Sequence, residues 1–267
     1  MQESLVSRDT HPEDTRITIG NHVIGRDFTW IAGPCSVEAA DITFRLAEQV
    51  ANLEIPFFRA GAYKPRTSPY SFQGLGSEGV EILNQVKQQF GLAVVTEVID
   101  AALLDEISAV ADILQIGARN MGNTRLLKAV GQSKTPVLLK RGMSATLEEY
   151  LQAAEYILVA GNPNVILCER GIRTFDTHCR FTLDIAAVPN LRRLSHLPVL
   201  VDPSHAAGTQ TLVAPLAKAA VAAGAQGLMI EIHDDPKNAY SDGLQAIHPD
   251  ELAELMKVCD TLQGVST

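Results

Sequence analysis

The chain reads as an α/β protein of one architecture, a (β/α)₈ (TIM) barrel with a short N-terminal β-hairpin closing its N-terminal end. Three observations predict this. Short apolar runs alternate with amphipathic stretches eight times between residues 28 and 262. The runs are near-continuous rather than alternating, the pattern of parallel strands covered by helices. The length, 267 residues, suits one barrel of about 250 residues. A doubly wound open sheet is the rival architecture, but it rarely uses eight units so evenly.

The elements follow in order. Residues 1–14 are polar and acidic and read as a disordered or loosely attached arm. Residues 16–25 alternate apolar and polar around Gly20-Asn21, a hairpin signal. A hairpin ahead of a barrel is expected to plug its N-terminal mouth. Strands are then expected at 28–32, 56–60, 92–98, 112–116, 136–140, 164–169, 198–202 and 227–233. Helices are expected at 39–52, 78–90, 101–110, 123–130, 146–159, about 180–193, 209–223 and 249–262. A long Gly/Pro/Ser-rich loop, 61–76, follows the second strand. The division is a 1–15 arm and one catalytic domain, 16–267, with no second domain or linker.

Composition narrows the function. The net charge of −9 argues against nucleic acid or an anionic membrane as partner. No apolar run approaches the roughly 18 residues of a membrane span. The first residues lack the apolar stretch of a signal peptide and the Arg-rich bias of a transit peptide, so a cytoplasmic location is expected. Cys35, Cys168, Cys179 and Cys259 are scattered with no CxxC among them, and are read as reduced thiols.

In this fold the strand C-termini carry the active site, so the polar residues there are the informative ones. Val199-Leu200-Val201 ends in Asp202-Pro203-Ser204-His205. Pro203 cannot continue a ladder, which puts His205 just past the strand. A lone His in a loop is ordinarily a structural one; its neighbours change that. Arg59, Lys64, Arg66, Arg119, Lys140, Arg170 and Arg173 all fall at strand ends or on the loops after them. Each could pair with a nearby carboxylate. As a set they would repel one another unless an anion sat among them. Phosphate and carboxylate suit such a cluster, because Arg offers a bidentate fork and Lys a point charge. Gly117-Ala118 would let backbone N–H groups approach the same anion.

Cys35, His205, Glu231 and Asp242 form the second set. They belong to the first, seventh and eighth strands and the loop after the eighth. Strands eight and one are neighbours in a closed barrel, so the four should converge. A thiolate, an imidazole and two carboxylates suit a borderline divalent ion such as Mn, Fe, Zn or Co. Cys35 alone would be read as a small buried hydrophobe. A divalent ion beside an anion site suggests carbonyl addition, an aldol-type condensation or its reverse. A Schiff base on Lys140 is the competing chemistry, though the arginines around it favour ion binding.

The motifs GPCSVE (33–38), RAGAYKPRTSPYSFQG (59–74), QIGARNM (115–121), LLKRG (138–142), CERGIRTF (168–175), VDPSHA (201–206), MIEIH (229–233) and SDGLQA (241–246) together resemble the 3-deoxy-D-arabino-heptulosonate-7-phosphate (DAHP) synthases. The resemblance covers roughly residues 16–262. It is to the short form related to 3-deoxy-D-manno-octulosonate-8-phosphate synthase. That sister enzyme has a Lys-Ala-Asn-Arg-Ser-Ser loop where this chain has Lys64-Pro65-Arg66-Thr67-Ser68, which favours erythrose 4-phosphate over arabinose 5-phosphate.

The resemblance implies a metal-dependent condensation of phosphoenolpyruvate with D-erythrose 4-phosphate and water, giving DAHP and phosphate, the first step of the shikimate pathway to chorismate and the aromatic amino acids. It implies Cys35, His205, Glu231 and Asp242 as metal ligands, with Mn foremost and Fe, Zn or Co as alternatives. It implies Arg59, Lys64, Arg119, Lys140 and Arg170, with the Gly117-Ala118 backbone, around phosphoenolpyruvate. Arg66 and Thr67 would hold the acceptor phosphate, with Ser68 nearby in the substrate-binding set. Lys64 would give a proton to the new alkoxide, Glu97 would serve as base toward water, and Asp202 would support the nearby cations. A homotetramer or homodimer is expected by analogy. Residues 1–15 are too few for a regulatory module, so feedback is expected to be absent or to come from a partner protein. The rivals are the octulosonate 8-phosphate synthase and a non-catalytic ligand-binding barrel.

Overall fold

The computed structural model describes residues 4–66 and 68–265. A two-stranded antiparallel hairpin, β1 (Ile17–Ile19) and β2 (His22–Ile24), comes first. Eight parallel strands follow: β3 (Thr29–Gly33), β4 (Phe57–Arg59), β5 (Ala93–Glu97), β6 (Ile113–Ile116), β7 (Val137–Lys140), β8 (Val165–Glu169), β9 (Val199–Val201) and β10 (Gly227–Glu231). They close as a barrel when β10 pairs with β3, Glu231 opposite Gly33. Every strand residue of β3 and β10 is buried, as helix-covered parallel strands require.

The outer layer is α1 (Ala40–Asn52), α2 (Ser77–Phe90), α3 (Leu104–Ser108), α4 (Thr124–Gln132), α5 (Leu147–Val159), α6 (Ala187–Leu194), α7 (Pro203–Ala207), α8 (Gln210–Ala222) and α9 (Pro249–Val265). Local chemistry sets their starts. Thr146 and Glu149 form a reciprocal capping box on α5, and Asn123 accepts from the Leu126 N–H to start α4.

Two apolar layers result. Inside the barrel, Ile31, Phe57, Val95, Ile113, Leu138, Ile166 and Leu200 pack together, with Ile17 and Ile24 of the hairpin in the same cluster. The hairpin therefore plugs the N-terminal mouth as expected. His22 braces it through Nε2, 3.0 Å from Thr29 Oγ1, and an edge-on contact with Phe57. A larger layer lies between strands and helices.

Three local expectations need correction. The arm is not loose over residues 4–15. Val6 is buried, Glu155 accepts from Ser4 Oγ and the Leu5 and Val6 N–H groups at 2.7–3.1 Å, and Arg8 donates to the Arg192 and Ser195 carbonyls. Polar composition hid this, because the partners are almost 150 residues away or more. The helix expected from about residue 180 begins only at Ala187. Residues 180–182 instead hydrogen-bond back to Ala206, Ala207 and Ile172. Conversely, 203–207 is helical, not loop. Pro203 takes the first turn, where its missing N–H costs nothing, and Asp202 caps it by accepting from the His205 N–H at 2.9 Å.

Candidate active site

Strand ends deliver the site. Arg59, Glu97, Lys140 and Glu231 are the last residues of β4, β5, β7 and β10, and Arg170 and Asp202 follow β8 and β9 directly. All six are under 8% exposed. Buried charge on this scale is expensive unless paired or liganded.

The pairing is incomplete. Arg59 donates to the Pro34 carbonyl at 3.0 Å and lies 3.7 Å from Glu231. Lys64 Nζ donates to the Cys35 carbonyl at 2.9 Å. Lys140 is ion-paired with Asp202. Arg66 donates to the Phe72 carbonyl. Arg119, Arg170 and Arg173 make no ion pair among the described residues. Arg170 Nη1 is buried without a hydrogen-bond partner, and its guanidinium lies over the Phe181 ring, 4.2 Å from the centroid. These seven cations line one cavity, the arrangement for an anion with several charges. Arg141 is different: Glu169 and Asp184 hold it in a structural pair.

Glu97 and the Gly117-Ala118 backbone face the same cavity. A Cβ on Gly117 would sit 2.0 Å from Glu97 Oε1, so only glycine admits the carboxylate this close. Ser68 is exposed, its Oγ accepting from the Tyr70 N–H, and does not reach the cavity. Thr67 lies outside the described residues. Asp202 is fully buried behind Lys140 and His205, so it acts through them rather than on a ligand.

The second set does converge. One donor atom each from Cys35, His205, Glu231 and Asp242 lies within 4.8 Å of the others. Cys35 Sγ is 3.2 Å from Asp242 Oδ2, and His205 Nε2 is 3.5 Å from Glu231 and 3.7 Å from Asp242. The residues fit a divalent ion. Glu231 Oε1 is buried with no hydrogen-bond partner, an atom that wants a cation. Burial pushes the Glu231 carboxyl up to about 7, and burial likewise raises the Cys35 thiol; a bound cation would favour both anions. Burial pushes the His205 imidazole down to about 3, keeping it neutral as a ligand must be. Its Nδ1 lies 2.8 Å from Asp202, which leaves Nε2 turned to the carboxylates, the usual brace for a metal-bound histidine. Burial opposes charge on Asp202, but His205, Lys140 and Arg59 hold its carboxyl well below the usual range.

Arg180 and Gln245 also belong here, and sequence reasoning missed both. Arg180 lines the cavity and pairs with Asp242; Gln245 donates to Glu231. Gln245 sits inside SDGLQA, a motif read only for its Asp. Arg180 lies on the loop after β8, where a helix was expected to begin, so it was not counted among the loop cations.

Fold and site together define a class: barrel enzymes with a cationic cavity, suited to anionic small molecules, beside a side-chain cluster that could hold a divalent metal. The particular family follows from comparison. The chain belongs to the DAHP synthetase I family, whose model matches residues 8–265; the family is generally metal-dependent. It is 52% identical over 254 residues to the phospho-2-dehydro-3-deoxyheptonate aldolase of Thermotoga maritima, covering 95% of this chain and 75% of that one. A 2-dehydro-3-deoxyphosphooctonate aldolase of Geobacter sulfurreducens is 31% identical over 93% of this chain and 98% of its own length. A crystal structure of the Thermotoga maritima aldolase, a DAHP synthase, superposes with a TM-score of 0.96 at 50% identity, over 99% of this chain and 78% of that chain. A truncated form of the Thermotoga enzyme gives 0.91 at 46% identity, over 98% and 96%. Among the described residues, no helix is long and apolar enough to cross a membrane.

Proposed function

We propose that the chain condenses phosphoenolpyruvate with D-erythrose 4-phosphate and water to DAHP and inorganic phosphate, the first step of the shikimate pathway. The observation that carries this reading is the eight-cation cavity opening directly onto the Cys35, His205, Glu231 and Asp242 cluster. An anionic donor and a metal-activated carbonyl would meet there.

Arg59, Lys64, Arg119, Lys140 and Arg170, with the Gly117-Ala118 backbone, hold the carboxylate and phosphate of phosphoenolpyruvate. Arg66 on the long loop receives the acceptor phosphate. Cys35, His205, Glu231 and Asp242 hold a divalent cation, Mn foremost, which supplies Lewis acidity toward the aldehyde oxygen. C3 of phosphoenolpyruvate bonds to the aldehyde carbon, and Lys64 Nζ gives the new alkoxide its proton. Water adds at C2, and Glu97 takes the proton that water loses. The C2–O bond to phosphate then breaks, the new C2 hydroxyl gives its remaining proton to the departing phosphate, and the C2 ketone forms. Asp202 ion-pairs with Lys140 and orients His205. Residues 16–267 act as one catalytic domain with a 1–15 arm, in a cytoplasmic homodimer or homotetramer.

The test is phosphate release from phosphoenolpyruvate with erythrose 4-phosphate or arabinose 5-phosphate, each with and without EDTA. Release with erythrose 4-phosphate alone, abolished by EDTA and restored by Mn²⁺, is expected. A preference for arabinose 5-phosphate would move the chain to the octulosonate reaction. No release with either would leave a ligand-binding barrel.

A further inference from the structure

We propose that Arg180 and Gln245 work as a single yoke that positions Asp242 and Glu231 to ligate the metal. The inference rests on the reading of Cys35, His205, Glu231 and Asp242 as a metal site. It adds two residues that touch no substrate atom in that reading.

One nitrogen is the centre of the yoke. Arg180 Nη1 donates to Asp242 Oδ1 at 3.0 Å and to Gln245 Oε1 at 2.9 Å. Gln245 passes the link on, its Nε2 donating to Glu231 Oε2 at 3.0 Å. Each carboxylate thus has one oxygen held from outside. Asp242 Oδ2 is left to face Cys35 Sγ, and the Glu231 oxygen that Gln245 holds is the one 3.5 Å from His205 Nε2, while Glu231 Oε1 has no hydrogen-bond partner. Only an amide does what Gln245 does, because it accepts from Arg180 with one end and donates to Glu231 with the other.

The backbone is shaped for this contact. Asp242 has φ +54, a left-handed conformation that a non-glycine residue adopts at some cost and that needs a reason. The Arg180 stem lies against Gly208, where a Cβ would come within 2.3 Å of Arg180 Cβ. Gly208 closes α7, the helix that carries His205. Phe181 N–H and Arg180 N–H donate to the Ala206 and Ala207 carbonyls of that helix. The yoke therefore joins three segments, the loop after β8, helix α7 and the loop after β10, at the point where their ligands meet.

Charge supplies the second reason. A thiolate and two carboxylates outweigh one divalent cation. A guanidinium just outside the ligands offsets their mutual repulsion. Outer partners of this kind typically contribute 10–100-fold to metal affinity.

The experiment titrates metal-stripped full-length protein with Co²⁺ against a competing chelator, reading the thiolate-to-cobalt absorption band. Arg180→Met and Gln245→Met are each expected to weaken Co²⁺ about 10-fold or more and to alter the band. Arg180→Lys should recover part of the loss, since one nitrogen serves both bonds. The double variant should bind no worse than the weaker single one, because the two act as a unit. Arg180 stands at the exposed rim, so Arg180→Met keeps the test decisive should Gln245→Met fail to fold. Folded Arg180→Met with wild-type affinity and an unchanged band overturns the proposal. A Cys35→Ser control separates the two readings. If it loses Co²⁺ while Arg180→Met does not, only the yoke fails. If it binds Co²⁺ like the wild type, the metal site itself is wrong and the yoke falls with it.

Discussion

The two mouths of the barrel are built from opposite materials. At the N-terminal mouth, Ile17 and Ile24 close over Ile31 and Phe57, all at most 2% exposed and all apolar. At the C-terminal mouth, Arg59, Lys140, Asp202 and Glu231 are about as deeply buried, at 0–4% exposed, and all are ionisable. Burial of apolar groups stabilises the fold at roughly 25 cal/mol per Å². Burial of charge opposes it, and is tolerated where neighbours or ligands compensate. The difference teaches a division of labour along one axis: one end holds the barrel shut, and the other concentrates buried, partly paired charge around a cavity.

The comparison can be broken most severely at Cys35. Cys35→Ala should lose the metal and about 10³-fold in turnover, the worth of several kcal/mol of Lewis acidity. Its melting temperature should stay close to wild type. Metal analysis with a phosphate-release assay checks this, and near-normal turnover from metal-free protein would break the functional half of the contrast.

Asp202→Ala probes the one place where the charged mouth also supports stability. It leaves Lys140 buried without its partner, which should lower unfolding stability by roughly 3–5 kcal/mol. Urea denaturation reads the loss. A variant as stable as wild type would mean that water already compensates Lys140.

At the apolar mouth, Ile24→Ala should lower stability by about 2–4 kcal/mol through the cavity it leaves. Turnover at 25 °C should be unchanged. A fall in turnover in a fully folded sample would show that the plug reaches the chemistry, contrary to the division drawn above.

The smallest effect is expected at the arm. Glu155→Gln removes the charge and leaves one acceptor oxygen where the Leu5 and Val6 N–H groups use two, and should lower stability by roughly 1 kcal/mol. Limited proteolysis should then cut first within residues 4–15. Unchanged protection there would assign the docking to Arg8 and its Arg192 and Ser195 carbonyls instead.

Some of this was legible before any coordinates. The eight apolar runs named the barrel because a buried parallel strand needs only a local stretch of Val, Ile and Leu. Closure then forced the last strand beside the first, which is why Cys35 and Glu231, 196 positions apart, read as partners; the pairing of Glu231 with Gly33 bears out that adjacency. Ser68 was read with its neighbours but turns to solvent. Whether a loop side chain faces inward depends on how that loop lands on the barrel.

Composition and periodicity, then, determined the number of strands, the plugged end, and which residue types crowd the open end, because those follow from hydrophobic burial along short segments. Only the tertiary structure decided that residues 4–15 dock, that Asp202 both caps α7 and stands behind Lys140 and His205, and that Arg180 and Gln245 reach the Asp242 and Glu231 carboxylates. The cap is local, but the docked arm, the Lys140–Asp202 pair and the Arg180–Asp242 pair rest on contacts between residues 62 or more positions apart. Such a contact is set by the relative placement of loops, and no local pattern encodes it.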